Sequence, residues 1–143
     1  KKKKGSGEPG PEPGPVERSM TLEVPSDQGR RYASVSGDYN PIHMHEWSAK
    51  LFGFKRAIAH GMWTLARVTG EVADDMPPAP RHLTVRFKRP VYLPSTILLT
   101  ERRDGHMLDV DVTDARGEVP HLDVELGPLE AFEAPERAAA EEE

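Results

Sequence analysis

The chain has 143 residues, 36% of them hydrophobic and 30% charged, with a net charge of −5 and no cysteine. That length holds one domain with a modest core and leaves no room for separate cofactor and substrate domains. The composition excludes disulfides and thiol catalysis, and the acidic balance argues against a general attraction to nucleic acid.

The polar character is concentrated at the ends. Residues 1–18, KKKKGSGEPGPEPGPVER, offer almost nothing to bury, and the run Lys1–Lys4 reads as a solvated terminus ahead of a semi-extended linker. Residues 133–143, EAPERAAAEEE, form an equally core-poor acidic tail. Both ends are expected to be disordered, which leaves residues 19–132 as the folded domain. The chain starts with lysine, not methionine, and so reads as a piece of a longer polypeptide. No apolar run is long enough to span a bilayer and no signal-peptide core is present, so a cytoplasmic protein is expected.

In chain order, a first strand is expected at Met20–Val24, ended by Pro25. Ser26 or Asp27 caps a helix that runs to Gly37. Pro41 then forbids a helix and holds Asn40 extended. Glu46–Phe52 returns to helical character until Gly53. The main helix is expected from His60-Gly61 to about Val72, with Met62, Leu65, Ala66, Thr69 and Val72 as its apolar stripe. Trp47 and Trp63 are read as packing residues. Beyond the Pro77–Pro80 loop the period changes. Leu83, Val85 and Phe87 alternate with polar residues, and so do Leu108, Val110 and Val112, then Leu122, Val124 and Leu126, with another strand at Thr96–Arg102. Asp104-Gly105 and Arg116-Gly117 supply the turns. A long helix followed by an antiparallel meander is an α+β arrangement in which the sheet's apolar face covers the helix.

The chemistry is concentrated in YASVSGDYNPIHMHEWSAKLFGFKRAIAHGMW, from Tyr32 to Trp63. Asp38, Asn40 and His43 lie within six residues of one another across Pro41, so the chain can fold back and bring carboxylate and imidazole to one point. On a continuous helix that spacing would separate them. Gly61 follows at a helix start, where backbone N–H groups lack internal partners and the dipole is positive.

This string resembles the signature of MaoC-like dehydratases, the R-specific enoyl-CoA hydratases of the hot-dog fold. Leu83–Pro94, LTVRFKRPVYLP, looks like the strand after that family's central helix. The run Ile58–Thr64 and the linker-like start resemble the C-terminal catalytic half of actinobacterial two-domain hydratases. The resemblance implies a long central helix wrapped by a curved antiparallel sheet, and reversible hydration of trans-2-enoyl thioesters. It implies Asp38 as the base that activates water and His43 as the group that holds the same water and shuttles its proton. Asn40 would orient the pair, and the N–H of Gly61 would hold the thioester oxygen. Ser36 joins Asn40 and Gly61 as a substrate-binding candidate, since nothing around Ser36-Gly37 resembles a nucleophile elbow.

No metal site is expected, because His43 and His45 have no further ligand cluster beside them, and no cofactor is expected. His60 is read as a helix-start residue, and His82, His106 and His121 as structural. Arg56, Arg86 and Lys88 could meet the phosphates of coenzyme A or an acyl carrier protein, or be exposed strand charge. Acyl-CoA and acyl carrier protein substrates stay open, as do a non-catalytic acyl-thioester-binding module and a hot-dog thioesterase. A homodimer, or pairing with a second hot-dog domain, is expected because a lone sheet leaves an edge uncovered.

Overall fold

The structure, a computed structural model, describes residues 13–131. The tail at 133–143, and the linker as far as residue 12, lie outside them. Within them a strand β1 (Val16–Val24) is followed by helix α1 (Gln28–Ser36), a short 3-10 turn (Pro41–His43), α2 (Glu46–Leu51) and α3 (Gly61–Glu71). Four strands complete the domain: β2 (Arg81–Phe87), β3 (Ser95–Asp104), β4 (Met107–Asp114) and β5 (Pro120–Pro128). They form one antiparallel sheet in the order β1-β3-β4-β5-β2, with β1 and β2 at its edges.

Register puts the alternating apolar residues on one face. Leu22 pairs with Ile97, Leu99 with Val112, Val110 with Val124, and Leu108 with Leu126. These side chains form one buried cluster with Val68 and Val72 of α3, so the sheet wraps that helix in a hot-dog arrangement. Burial of each such aliphatic side chain contributes roughly 1.5–3 kcal/mol. The polar residues between them face outward, where Asp109 lies opposite Glu125 and Asp111 opposite Asp123. Burial and those like charges push the Asp109 carboxyl above its ordinary range.

Three expectations need correction. The first strand begins at Val16, not Met20, because pairing with β3 continues to Arg102. The buried face of α3 is Thr64 and Val68, continued by its C-cap Val72, with Trp63 and Leu65 partly covered, whereas Met62 is 58% exposed. Thr64 can lie inward because its hydroxyl donates to the His60 carbonyl, 3.4 Å away. Trp47 does not pack into the core. It is 67% exposed and stacks on the His45 ring.

Two features of the framework bring the site together. Residues 57–59 run beside 91–93, with Ala59 N–H donating to Val91 O and Leu93 N–H to Ala57 O. Ile58 N–H donates in turn to Ile42 O, which ties the 3-10 turn to the segment leading into α3. Helix α1 approaches from the other direction so closely that a Cβ on Gly29 would lie 1.8 Å from the His43 carbonyl oxygen.

Candidate active site

The loop after α1 is a chain of local hydrogen bonds. Gly37 takes the left-handed conformation (φ 76°) and ends the helix. Ser36 Oγ then accepts from Asp38 N–H, Asp38 Oδ1 from Asn40 N–H, and Asn40 Oδ1 from Ile42 N–H. Short polar side chains offer the backbone this alternative to a helix. Asn40 thus caps the 3-10 turn with its side chain and steadies the carboxylate with its backbone.

His43 is buried. Its Nδ1 lies 2.7 Å from the Ile58 carbonyl, which can only accept, so Nδ1 carries the proton and Nε2 presents a lone pair. Nε2 lies 4.0 Å from Asp38 Oδ2, on a side chain that is half exposed. Burial holds the His43 imidazole below its ordinary value of 6.5; the Ile58 carbonyl opposes this, His60 adds to it and Asp38 opposes it. The neutral ring is therefore the form present near neutrality.

His60 joins this pair. It is 4% exposed, its ring stacks on His43 with centroids 3.8 Å apart, and Tyr32 touches it at 4.8 Å. Its Nε2 lies 2.9 Å from the Asp38 carbonyl and 3.8 Å from Asp38 Oδ2. In the sequence His60 reads as a helix-start residue. Its backbone does serve as the N-cap of α3, yet its side chain makes no capping bond and turns to Asp38 instead. The only advance signal was its place beside Gly61 in the motif.

Among the described residues, Asp38, His43 and His60 are also the group whose potential metal-ligating atoms come together, within 4.8 Å of one another. His45 is not part of it; its Nδ1 lies 3.3 Å from Arg30. Metal binding would require His60 Nε2 to give up the proton it donates to Asp38 O, and this donor set does not favour that.

A cavity of about 230 Å³ opens beside His43, lined also by Ile58, Gly61, Thr64, Phe87 and His121. Gly61 is the first residue of α3, so its N–H has no acceptor within the helix. A Cβ there would meet the Phe87 ring at 3.0 Å, so glycine keeps this wall of the cavity open. Asp38 does not itself line the cavity; its Oδ2 lies 4.0 Å from Nε2 of His43, which does. Two candidate cations separate here: Lys88 pairs with Asp123 at 2.7 Å, while Arg56 lines a neighbouring cavity of about 470 Å³ with Lys55 and Arg89. Arg89, Pro90 and His121 line both cavities. Arg86 lies elsewhere, among the outward carboxylates.

A helix start opening on a cavity, a Pro-centred acid–imidazole turn and a wrapping sheet define a hot-dog domain, and the solved structures agree. The crystal structure of HtdX from Mycobacterium tuberculosis superposes with a TM-score of 0.70 and 37% identity, over 87% of this chain and 49% of that one. The R-hydratase PhaJ1 of Pseudomonas aeruginosa gives 0.63 and 26%, over 87% of this chain and 90% of that one. In sequence, the MaoC like domain model matches residues 7–123, and the chain belongs to the MaoC-like family. The 3-hydroxyacyl-thioester dehydratase X of M. tuberculosis is 40% identical over 121 residues, 82% of this chain and 43% of that protein. The chain thus spans less than half the length of that relative. Among the described residues, no helix is long and apolar enough to cross a membrane.

Proposed function

We propose that this domain adds water reversibly to trans-2-enoyl thioesters, giving (3R)-3-hydroxyacyl thioesters. One observation carries the reading: Asp38 Oδ2 and the lone pair of His43 Nε2 stand 4.0 Å apart. That is too long for a direct hydrogen bond, yet one water about 2.8 Å from each can bridge them. The water oxygen adds to C3 as its proton passes to Asp38. A proton returns to C2 through the Asp38–His43 pair, and the charge on the thioester oxygen is met by the Gly61 N–H. Atoms balance with one water consumed. Ser36 and Asn40 serve by holding the loop that aims Asp38.

The carrier fits the second cavity. Lys55, Arg56 and Arg89 face a space continuous in its lining with the catalytic one, which suits the phosphates of coenzyme A. Phe87 and Leu83 expose apolar surface on the β2 edge, which supports a second hot-dog domain there, from another copy or a companion chain. A cytoplasmic setting completes the proposal.

The test follows the enone absorbance of crotonyl-CoA alongside thiol release. Hydration, reduced by about 10²–10⁴ in Asp38→Asn, supports the reading. Thiol release without hydration would reject it, and tight acyl-CoA binding without either reaction would mark a non-catalytic module.

A further inference from the structure

The structure assigns His60 a part in this chemistry, resting on the hydration reading above: we propose that it is a positioning residue, its Nε2–H holding the Asp38 backbone and its ring holding the His43 imidazole face-on.

The argument starts from what the side chain does not do. A helix N-cap needs only a suitable backbone, here φ −64° and ψ 131°, and the His60 imidazole makes no bond to the first turn of α3. Helix starting therefore does not account for a buried aromatic heterocycle at this position. Apart from Tyr32 against its ring, the contacts it does make lead to the reacting pair. Nε2 is 2.9 Å from a carbonyl oxygen, which only accepts, so that nitrogen carries the proton. In the neutral ring Nδ1 is then a bare lone pair, and it is buried without a hydrogen-bond partner in the structure. That atom is consistent with a ring fixed through its other nitrogen and its face. The stack on His43 is nearly parallel, with 24° between the rings, so His43 cannot rotate about its Nδ1–Ile58 bond without leaving His60.

A stacked imidazole also acts on the charge state of its neighbour. The groups facing His43 are the Asp38 carboxylate from the loop, the Ile58 carbonyl from the segment before α3, and His60 itself, while Lys88 and Arg89 after β2 and His121 of β5 line the cavity it shares. Helix α1 contributes Tyr32, against His60, and Gly29, against the His43 backbone. Of the two α1 cations, Arg30 is spent on the Met44 carbonyl and the His45 ring, and Arg31 is exposed. Of these, His60 disfavours the charged form of His43, together with burial. Replacing the His60 imidazole therefore lets His43 hold its proton to higher pH.

The test uses two variants. His60→Gln keeps an amide N–H to reach the Asp38 carbonyl but loses the ring, whereas His60→Phe keeps a ring to stack but loses the donor. Each is followed by the pH profile of crotonyl-CoA hydration and by NMR titration of the His43 imidazole. The expected result is a His43 titration moved to higher pH in both variants, with the acid limb of the rate profile moving alike. His60→Phe should lose roughly 10²-fold in kcat through misplacement of Asp38, and His60→Gln markedly less. If both variants titrate like the wild type at His43, or lose the same kcat with an unmoved acid limb, the assignment is overturned. The NMR arm needs no turnover, so a wild-type chain inactive on crotonyl-CoA would reject the hydratase reading and still leave the positioning claim to be decided.

Discussion

At the residue scale the imidazole of His43 sets the conditions under which the site works. Its folded pKa lies below the 6.5 of the free ring, chiefly because burial disfavours the charge. Below pH 6.5 the unfolded chain takes up a proton that the native ring still refuses, so the unfolded state gains stability as pH falls. The contribution of His43 to stability is thus full above that value and is lost as pH falls through the folded pKa. Urea unfolding at a series of pH values should show this as a loss of stability on acidification. The loss should be smaller in His43→Gln, where no ring titrates; identical slopes in the two proteins would refute the burial argument. The same neutral ring is the form that presents a lone pair to water, so activity should fall on the acid side together with this stability term.

At the element scale the site depends on how tightly α1 is pressed onto the 3-10 turn. The space for a methyl group at Gly29 is occupied by the His43 carbonyl, with its oxygen 1.8 Å and its carbon 2.8 Å away. Both are backbone atoms, so no side chain can swing aside. Gly29→Ala should therefore destabilise the domain by about 1–3 kcal/mol, the usual range for overpacking, and should reduce kcat by moving His43. Denaturant midpoints and steady-state rates check it, and an unchanged rate would show that the turn adjusts independently of α1. The contrast with Gly61 is instructive, since there the obstructing atom belongs to the half-exposed Phe87 ring, which has room to turn. None of this crowding can be read from the chain alone, where Gly29 looks like an ordinary helix residue. What can be read is the local pattern. Asp109 and Asp111 alternating with Leu108, Val110 and Val112 announce a half-buried strand, and Asp38, Asn40 and His43 around Pro41 announce a folded-back loop. Strand ends such as Arg81, Ser95 and Pro120 lack such alternation. They belong to strands because of their partners across the sheet, Pro128, Val24 and Thr113. His60 joins Asp38 across 22 residues through tertiary packing, so its contact with the carbonyl is equally invisible locally. The buried face of α3 is hidden for a related reason: burial of Thr64 requires only that its hydroxyl find the carbonyl one turn back.

At the scale of the whole molecule one charged pair links the edge strand β1, its neighbour β3 and the far end of α3. Arg18 of β1 reaches Glu101 of β3 at 3.0 Å, the Glu71 carbonyl at 2.6 Å and Asp75 at 3.8 Å. Glu101 points to the apolar face, is 1% exposed, and its Oε1 has no hydrogen-bond partner in the structure. Burial, followed by the neighbouring Asp75 carboxyl, raises the Glu101 carboxyl above its ordinary 4.5, while Arg18 opposes the rise. The native state therefore binds this proton more tightly than the unfolded chain does. The resulting stability is fully present below pH 4.5 and is lost as pH rises through the folded pKa. Arg18→Met removes the opposing cation and should carry that window further upward, leaving a buried anion uncompensated at neutral pH. Breaking a fully buried pair costs about 3–5 kcal/mol, and the partial exposure of Arg18 should reduce this to about 2–3 kcal/mol near pH 7. Below pH 4.5, where the raised Glu101 carboxyl is largely neutral, the variant should approach the wild type. Glu101→Gln in the Arg18→Met background should flatten the difference between the two conditions. Urea midpoints for the three proteins at acidic and neutral pH decide the matter: an Arg18→Met deficit equal at both would locate the arginine's contribution in its packing and in the Glu71 carbonyl, not in the buried charge.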